Sequence, residues 1–279
     1  MLRLLDWLSL PGDPTKSNED SFAHGANAAL VMDGATMLDD PLMPGASDAA
    51  WIAQFGARRL MAHLQEEAPR NALRAAMADA EKSFKALARA PLGQRWQLPC
   101  ASVMLAAKHE KGLEFLWLGD CGAIIARGDA VTVVGETLTK RAEESRRARK
   151  LAQEKQVSSA APGVRTQFLD HLRAARGRVN SGDYWLFSPD KRAAAHAQRK
   201  IMKVGQGSLL LLASDGFLAL SVNYGVCDAA GLIGAAKTRG LAAMGEELRA
   251  IENDDARGDR FARFKKSDDA TALLLEVTS

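Results

Sequence analysis

Cysteine is scarce in this chain: Cys100, Cys121 and Cys227 are the three cysteines among 279 residues. No two of them form a C-x-x-C pair, and an odd number cannot pair off completely. We therefore expect neither a structural zinc site nor a disulfide framework. This cysteine usage fits a reducing, cytoplasmic setting.

A strong charge of one sign and long apolar runs are also lacking. Lysine and arginine number 37 and aspartate and glutamate 34, a net charge of +3 that is too weak to indicate a nucleic-acid partner. No apolar run approaches the ~20 residues of a transmembrane helix. The opening "MLRLLDWLSLPGD" contains Asp6 and no small-residue cleavage site, so it predicts a first strand rather than a signal peptide. No membrane partner is expected.

What the sequence does contain is alternating strand and helix patterns. Strand-like apolar runs occupy 2–10, 27–32, 101–109, 113–119, 122–127, 130–134, 208–214 and 271–277. Helical patterns occupy 47–67, the stretch from Pro69 to about Ala90, and a pair within 228–254. The connections between 101 and 134 are too short for parallel crossovers, so they predict antiparallel hairpins. The order of elements favours a single α+β domain over 1–279, with helices packed outside the sheets.

The stretch 136–200 differs in composition from the rest of the chain. It is basic and strongly charged, with only weak apolar periodicity in "ETLTKRAEESRRARKLAQEK". Such a run usually forms a solvated helix face. The alternative is an inserted subdomain that meets an acidic or phosphorylated partner. We predict a basic, partly helical insert.

Carboxylates recur where apolar runs begin or end, as in "NAALVMDG" (27–34) and "LLLLASDG" (209–216). Strand ends are followed by Asp33, Asp120 and Asp215, and strand starts are preceded by Glu19, Asp20, Asp268 and Asp269. In antiparallel sheets the end of one strand lies beside the start of its neighbour, so these groups can share one edge. They would repel one another without a hard cation, and Mg²⁺ and Mn²⁺ prefer carboxylate, carbonyl and water ligands. A single Asp-Gly is also a common turn, but the whole set predicts a metal site.

Five motifs in order, "SNED", "VMDG", "LGDCG", "LLASDG" and "SDDAT", resemble those of the PPM-type metal-dependent protein phosphatases, the type 2C serine/threonine phosphatases. The resemblance runs from Glu19 to Thr271. It implies a four-layer α-β-β-α sandwich with a two-metal Mg²⁺ or Mn²⁺ centre on one edge. It also implies hydrolysis of phosphoserine and phosphothreonine in proteins by a metal-activated water, with a cognate serine/threonine kinase as a further candidate partner.

The resemblance also implies roles for individual residues. Asp33 would bridge both metals, the Gly34 carbonyl would bind one of them, and Asp215 and Asp268 would hold the other. The pair Glu19 and Asp20 would orient metal-bound waters, and Asp120 would lie near a third, weaker site. The sequence leaves open whether Asp268 or Asp269 is the main ligand.

The sequence departs from the family pattern around the phosphate and the third metal. Thr15 stands where many members carry a phosphate-binding Arg, and Lys16 beside it can act as a point charge but not as a bidentate fork. Ala35 stands where eukaryotic members have a His, and Ala219 replaces an aspartate of the third metal site. We predict an active phosphatase that binds phosphate through Lys16. The alternatives are a pseudophosphatase that acts as a regulatory binding module, and a small-molecule phosphohydrolase.

Overall fold

Ten strands form in the part of the chain that the computed structural model describes, residues 1–135, 137–161 and 164–279. They are β1 (Leu2–Leu10), β2 (Asp20–His24), β3 (Ala28–Gly34), β4 (Ala101–His109), β5 (Gly112–Leu118), β6 (Gly122–Arg127), β7 (Ala130–Val134), β8 (Gln198–Met202), β9 (Leu209–Ala213) and β10 (Ala270–Val277). All eight runs that the apolar pattern marks as strands are strands here.

The strands build two antiparallel five-stranded sheets. Sheet I has the order β1-β10-β9-β6-β7 and sheet II the order β2-β3-β4-β5-β8. The inner faces of the two sheets pack against each other through fully buried side chains such as Val31, Met104, Phe115, Leu212 and Leu273. Burial of this apolar surface is the main favourable contribution to folding.

The helices of the described residues are α1 (Asp48–His63), α2 (Pro69–Leu87), α3 (Thr137–Lys155), α4 (Val164–Gln167), α5 (Leu169–Arg176), α6 (Asp215–Val222), α7 (Ala229–Arg239) and α8 (Leu241–Asp254). Local chemistry fixes several of their starts. The Ser47 hydroxyl accepts a hydrogen bond from the Ala50 amide at the start of α1, and Pro69 occupies the first turn of α2. None of these helices has the length and apolar content needed to cross a membrane.

The helices cover the outer faces of the sheets. Helices α1 and α2 pack on sheet II through residues such as Ile52, Leu60 and Met77. Helices α6, α7 and α8 pack on sheet I in a second layer of apolar contacts. The predicted four-layer α-β-β-α sandwich of the α+β class is therefore confirmed.

One predicted connection differs in the structure. The segments β4–β5 and β6–β7 are antiparallel hairpins as expected, but β5 and β6 belong to different sheets. The link between them carries Gly119 at a φ of +83°, a left-handed conformation that suits glycine and turns the chain out of sheet II. The crossing places Asp120 at the edge where the two sheets meet.

The expected insert, 136–200, divides into two parts, and its positions 136, 162 and 163 lie outside the described residues. In the first part, α3 keeps exposed basic residues on one side and buries Ala148 on the other, against Phe168 and Phe264. The second part joins the sandwich, since Phe187 pairs with Ala101 at the start of β4 and the stretch continues into the edge strand β8. The first part is therefore packed on the domain rather than merely solvated.

Replacing Phe168 with Ala should loosen this packing. Phe168 is 1% exposed and lies edge-on to Phe264 with ring centroids 5.8 Å apart. Loss of a buried Phe side chain typically costs about 3–5 kcal/mol, here spread over the contact between insert and domain. Hydrogen exchange should quicken in α3 and α5 and stay unchanged in β3. Leu87→Ala, at a position 51% exposed, is the control, and unchanged exchange in the Phe168 variant would contradict this packing.

Candidate metal centre

The strand ends bring the predicted carboxylates to one edge of the sandwich. Asp20 at the start of β2 lies directly opposite Asp33 near the end of β3, and Asp33 lies opposite Ser102 in β4. Asp120 follows β5, and Asp215 is the first residue of α6, two residues after β9. The edge thus receives residues from both sheets, because β3, β5 and β9 end there and β2 begins there.

Three of these side chains meet at one point. Carboxylate oxygens of Asp33, Asp120 and Asp215 all lie within 4.8 Å of one another. Asp215 is only 6% exposed, and the other two are partly buried. The Ser102 hydroxyl donates to Asp120 Oδ1 at 2.5 Å and so fixes that carboxylate. Asp120, which the sequence placed near a weaker third site, lies here among the central carboxylates.

Asp20 adds a fourth carboxylate that is 4% exposed. Its Oδ2 accepts a hydrogen bond from the Ser214 hydroxyl at 2.7 Å. Its Oδ1 is buried, and no donor among the described residues contacts it. Burying a carboxylate oxygen without a hydrogen-bond donor costs free energy of folding. The arrangement therefore indicates a ligand that contacts this oxygen.

Burial and repulsion disfavour the charged forms of Asp33 and Asp20. Burial is the larger cause that raises the pKa of Asp33 well above its usual range, and the charges of Asp20, Asp215, Asp268 and Asp120 raise it further. The pKa of Asp20 is also raised well above its usual range, mainly by burial and against the effect of the Ser214 hydrogen bond. A bound divalent cation would offset both effects, and the all-oxygen donor set fits Mg²⁺ or Mn²⁺.

Asp268 and Asp269, the two carboxylates before β10, make different contacts. Both carboxylate oxygens of Asp269 accept backbone amides at 2.6 Å, Oδ1 from Gly12 and Oδ2 from Glu19. Asp269 therefore ties the loop after β1 to the start of β2. Asp268 instead forms an ion pair with Lys265, and its charge is among the causes that raise the pKa of Asp33. Both charges raise the pKa of Asp20, that of Asp269 more than that of Asp268. These contacts make Asp268 the better candidate ligand of the two.

Glu19 links three segments around the centre. Its Oε1 accepts the Ser47 hydroxyl at 2.6 Å and its Oε2 accepts the Thr36 hydroxyl at 2.5 Å. The carboxylate thereby connects the loop after β3 to the N-terminus of α1. Its predicted role of orienting waters stays a prediction.

Lys16, the predicted phosphate-binding residue, lies on the loop between β1 and β2. Its side chain is 77% exposed, and its ammonium is 3.6 Å from the Asp13 carboxylate. Its role in phosphate binding also stays a prediction.

The insert supports the loop that follows Asp33 and Gly34. From α5, the Arg173 guanidinium donates to the Leu38 carbonyl at 2.8 Å, and the Arg176 guanidinium donates to the Ala35 carbonyl at 3.2 Å. Sequence reasoning missed both residues, because an arginine bound to backbone carbonyls leaves no local pattern. The metal-site loop is therefore held from outside the sandwich.

The glycines of the two Asp-Gly motifs are required by close packing. A Cβ at Gly34 would lie 2.4 Å from the Ala49 carbonyl oxygen and 2.5 Å from that of Glu19. A Cβ at Gly216 would lie 2.0 Å from the Asp269 carbonyl oxygen. Neither glycine has a positive φ, so it is space rather than backbone conformation that excludes a side chain.

This geometry agrees with the comparison to known protein families. A family model described as protein phosphatase 2C matches residues 15–231. The chain belongs to the protein phosphatase 2C family. It is thus a member of the metal-dependent serine/threonine protein phosphatases that its five motifs resemble. No curated protein sequence matches the chain.

Solved phosphatases share the fold at low sequence identity. The serine/threonine phosphatase PstP of Mycobacterium tuberculosis is 18% identical with a TM-score of 0.58, covering 100% of this chain and 99% of that one. The PPM phosphatase MsPP of Mycobacterium smegmatis is 17% identical with a TM-score of 0.55 and 99% coverage of both chains. The photosystem II phosphatase PBCP is 14% identical with a TM-score of 0.58, covering 100% and 99%. The 2C fold is common to all of them.

Replacing Gly34 with Ala should destabilise the protein by about 2 kcal/mol or more, because the new Cβ overlaps two backbone carbonyls that cannot both move aside. Gly234→Ala in α7 is the matched control, since a Cβ there meets nothing within 4 Å and should stabilise the helix by roughly 0.5–1 kcal/mol. Urea unfolding measures both changes. Equal effects of the two substitutions would show that Gly34 is not tightly enclosed.

The raised pKa of Asp33 predicts that, in the metal-free protein, Asp33→Asn increases the free energy of unfolding by an amount that depends on pH. The metal-free state is obtained by adding a chelator. A raised folded-state pKa means that the folded protein binds this proton more tightly than the unfolded chain does. Wild-type stability should therefore fall, relative to the Asn variant, as pH rises from the ordinary carboxyl pKa of about 4 through the raised pKa. Urea unfolding at several pH values tests this, and a pH-independent difference would contradict it.

Proposed function

We propose that the reaction of this family, metal-dependent hydrolysis of phosphoserine and phosphothreonine in proteins, takes place at the Asp33, Asp120 and Asp215 cluster. The observation that carries the proposal is the meeting of three carboxylates within 4.8 Å beside the buried, unsatisfied Oδ1 of Asp20. Such mutual repulsion destabilises the folded protein unless a cation offsets it, and carboxylates perturbed in this way cluster at functional sites.

Two Mg²⁺ or Mn²⁺ ions are proposed as the cofactors. A PstP catalytic domain with the same fold, 17% identical with a TM-score of 0.54, was solved with two manganese ions. Here Asp33, the Gly34 carbonyl, Asp215 and Asp268 are the proposed ligands, with Asp120 beside them for a weaker third ion. When bound, such ions lower the pKa of water and neutralise charge that develops on the phosphoryl group.

The side chains of the site hold the reacting groups in position and provide hydrogen-bond acceptors. Asp33 sits on β3 with ladder partners on both sides, so its backbone is held rigidly. The Oδ1 of Asp20 can accept a hydrogen bond from the attacking water and so orient it. Water adds to phosphorus, the serine or threonine oxygen leaves and takes up a proton, and the products are inorganic phosphate and the free hydroxyl side chain.

The reaction class indicates which proteins this phosphatase would meet. The family acts on phosphoproteins, and we propose that a serine/threonine kinase makes the phosphoprotein that this chain hydrolyses. A cytoplasmic location is proposed because all three cysteines, each within the described residues, are free thiols. That no nucleic acid or membrane takes part stays a prediction.

One observation favours the pseudophosphatase alternative. Thr15 stands at the position of the usual phosphate-binding Arg, and the neighbouring Lys16 pairs with Asp13 on the surface. A protein of this kind would bind metal and phosphoprotein without turnover. Turnover of a phosphorylated substrate therefore distinguishes the two functions.

Turnover of a phosphothreonine peptide and of an aryl phosphate should require added Mg²⁺ or Mn²⁺ and stop with chelator. Asp33→Ala and Asp215→Ala should each lower kcat by at least ~10³, because each removes a ligand of the centre that activates water. Asp129→Ala, an exposed residue of the β6–β7 turn, should leave kcat unchanged.

Two outcomes would contradict the proposed function. Turnover that survives chelation or either substitution would rule out metal-dependent hydrolysis at this cluster. Calorimetric binding of Mn²⁺ by a wild-type protein that hydrolyses neither substrate would identify a pseudophosphatase.

A further inference from the structure

Lys265 brings a positive charge to the carboxylate edge. Its Nζ lies 2.5 Å from Asp268 Oδ1 and donates to the Thr36 hydroxyl oxygen at 3.3 Å. The lysine thus joins the segment before β10 to the loop after β3. One third of its side chain is exposed, so a solute that arrives at the edge can reach it.

The contacts of Lys265 continue into the site. The Thr36 hydroxyl that it contacts donates in turn to Glu19 Oε2. Lys265 is therefore two contacts from Glu19 and one from Asp268, both of which the sequence assigns to the metal site. Lys16, by contrast, is 77% exposed and pairs with Asp13.

The backbone around Lys265 is firmly held. Phe264 is buried against Phe168, and the Arg263 guanidinium forms an ion pair with Asp255 at 2.7 Å. The same guanidinium donates to the Lys266 carbonyl at 2.8 Å. Both neighbours of Lys265 are therefore anchored, which fixes where its side chain starts.

We propose that Lys265 binds the phosphoryl oxygens of the substrate and replaces the missing arginine at Thr15. A phosphate monoester is an anion and is repelled by an edge of carboxylates, so a cationic donor at that edge favours its binding. An ammonium group shares its three N–H donors among several acceptors, and it can therefore remain near Asp268 while it contacts phosphate. This assignment rests on the proposed function.

The rival interpretation is that Lys265 only neutralises Asp268. Removing the lysine would then leave phosphate binding unchanged and tighten Mn²⁺ binding at Asp268. The proposed role affects phosphate affinity instead, so the two roles differ in which ligand responds.

The test compares Lys265→Met with Lys266→Met, an adjacent and exposed control with the same change in charge, and with Lys16→Met. In the presence of Mn²⁺, Lys265→Met should raise KM for an aryl phosphate and the inhibition constant of inorganic phosphate about tenfold, the loss of one charge-assisted contact. Mn²⁺ affinity by calorimetry should be no weaker than in wild type. Lys265→Arg should bind phosphate with an affinity within a few-fold of wild type. This variant keeps the test decisive if the Met variant folds poorly.

Unchanged KM and phosphate inhibition in a folded Lys265→Met protein would overturn the assignment, as would a rise in KM with Lys16→Met alone. If the wild type shows no turnover at all, the proposed function fails separately. Calorimetric titration of the Mn²⁺-loaded proteins with inorganic phosphate then decides the role of Lys265. Binding about tenfold weaker in Lys265→Met than in Lys266→Met supports it, and equal binding overturns it.

Discussion

Repulsion among buried carboxylates is the constraint on which the rest of this structure depends. Asp20, Asp33, Asp120 and Asp215 are brought to one edge of a sandwich, where burial and neighbouring charges raise the pKa of Asp20 and Asp33. Such an arrangement costs stability in the absence of a cation. The fold must therefore hold these groups together rigidly. A bound divalent ion offsets their repulsion, so the same carboxylates form a metal-binding site.

Most of this rigidity comes from polar contacts between segments far apart in sequence. Hydroxyls of Ser102 and Ser214 fix two of the carboxylates, and Asp269 anchors the loop after β1 through backbone amides. Gly34 and Gly216 let neighbouring backbones approach to distances that exclude any side chain. The centre is therefore a property of the sandwich edge as a whole, not of any one loop.

The basic insert contributes to the same edge. Its arginines on α5 bind carbonyls of the loop after Gly34, while Phe168 packs against the segment that leads to Lys265 and Asp268. The insert thus contacts segments on both sides of the carboxylate cluster. A change in how the insert packs would therefore reach the loops on both sides of this cluster through these contacts.

The sequence by itself determined the strands with clear apolar patterns, the α+β class and the carboxylates at their ends, because each of these is a local pattern along the chain. It missed β2 and β8, which are short and mostly not fully buried, and it took the β5–β6 link for a hairpin. Only the tertiary structure assigned Asp269 to backbone amides and brought Lys265 and Arg176 to the metal-site loops. Those roles depend on contacts between residues far apart in sequence, and no local spacing encodes which distant carbonyl or carboxylate a side chain will meet.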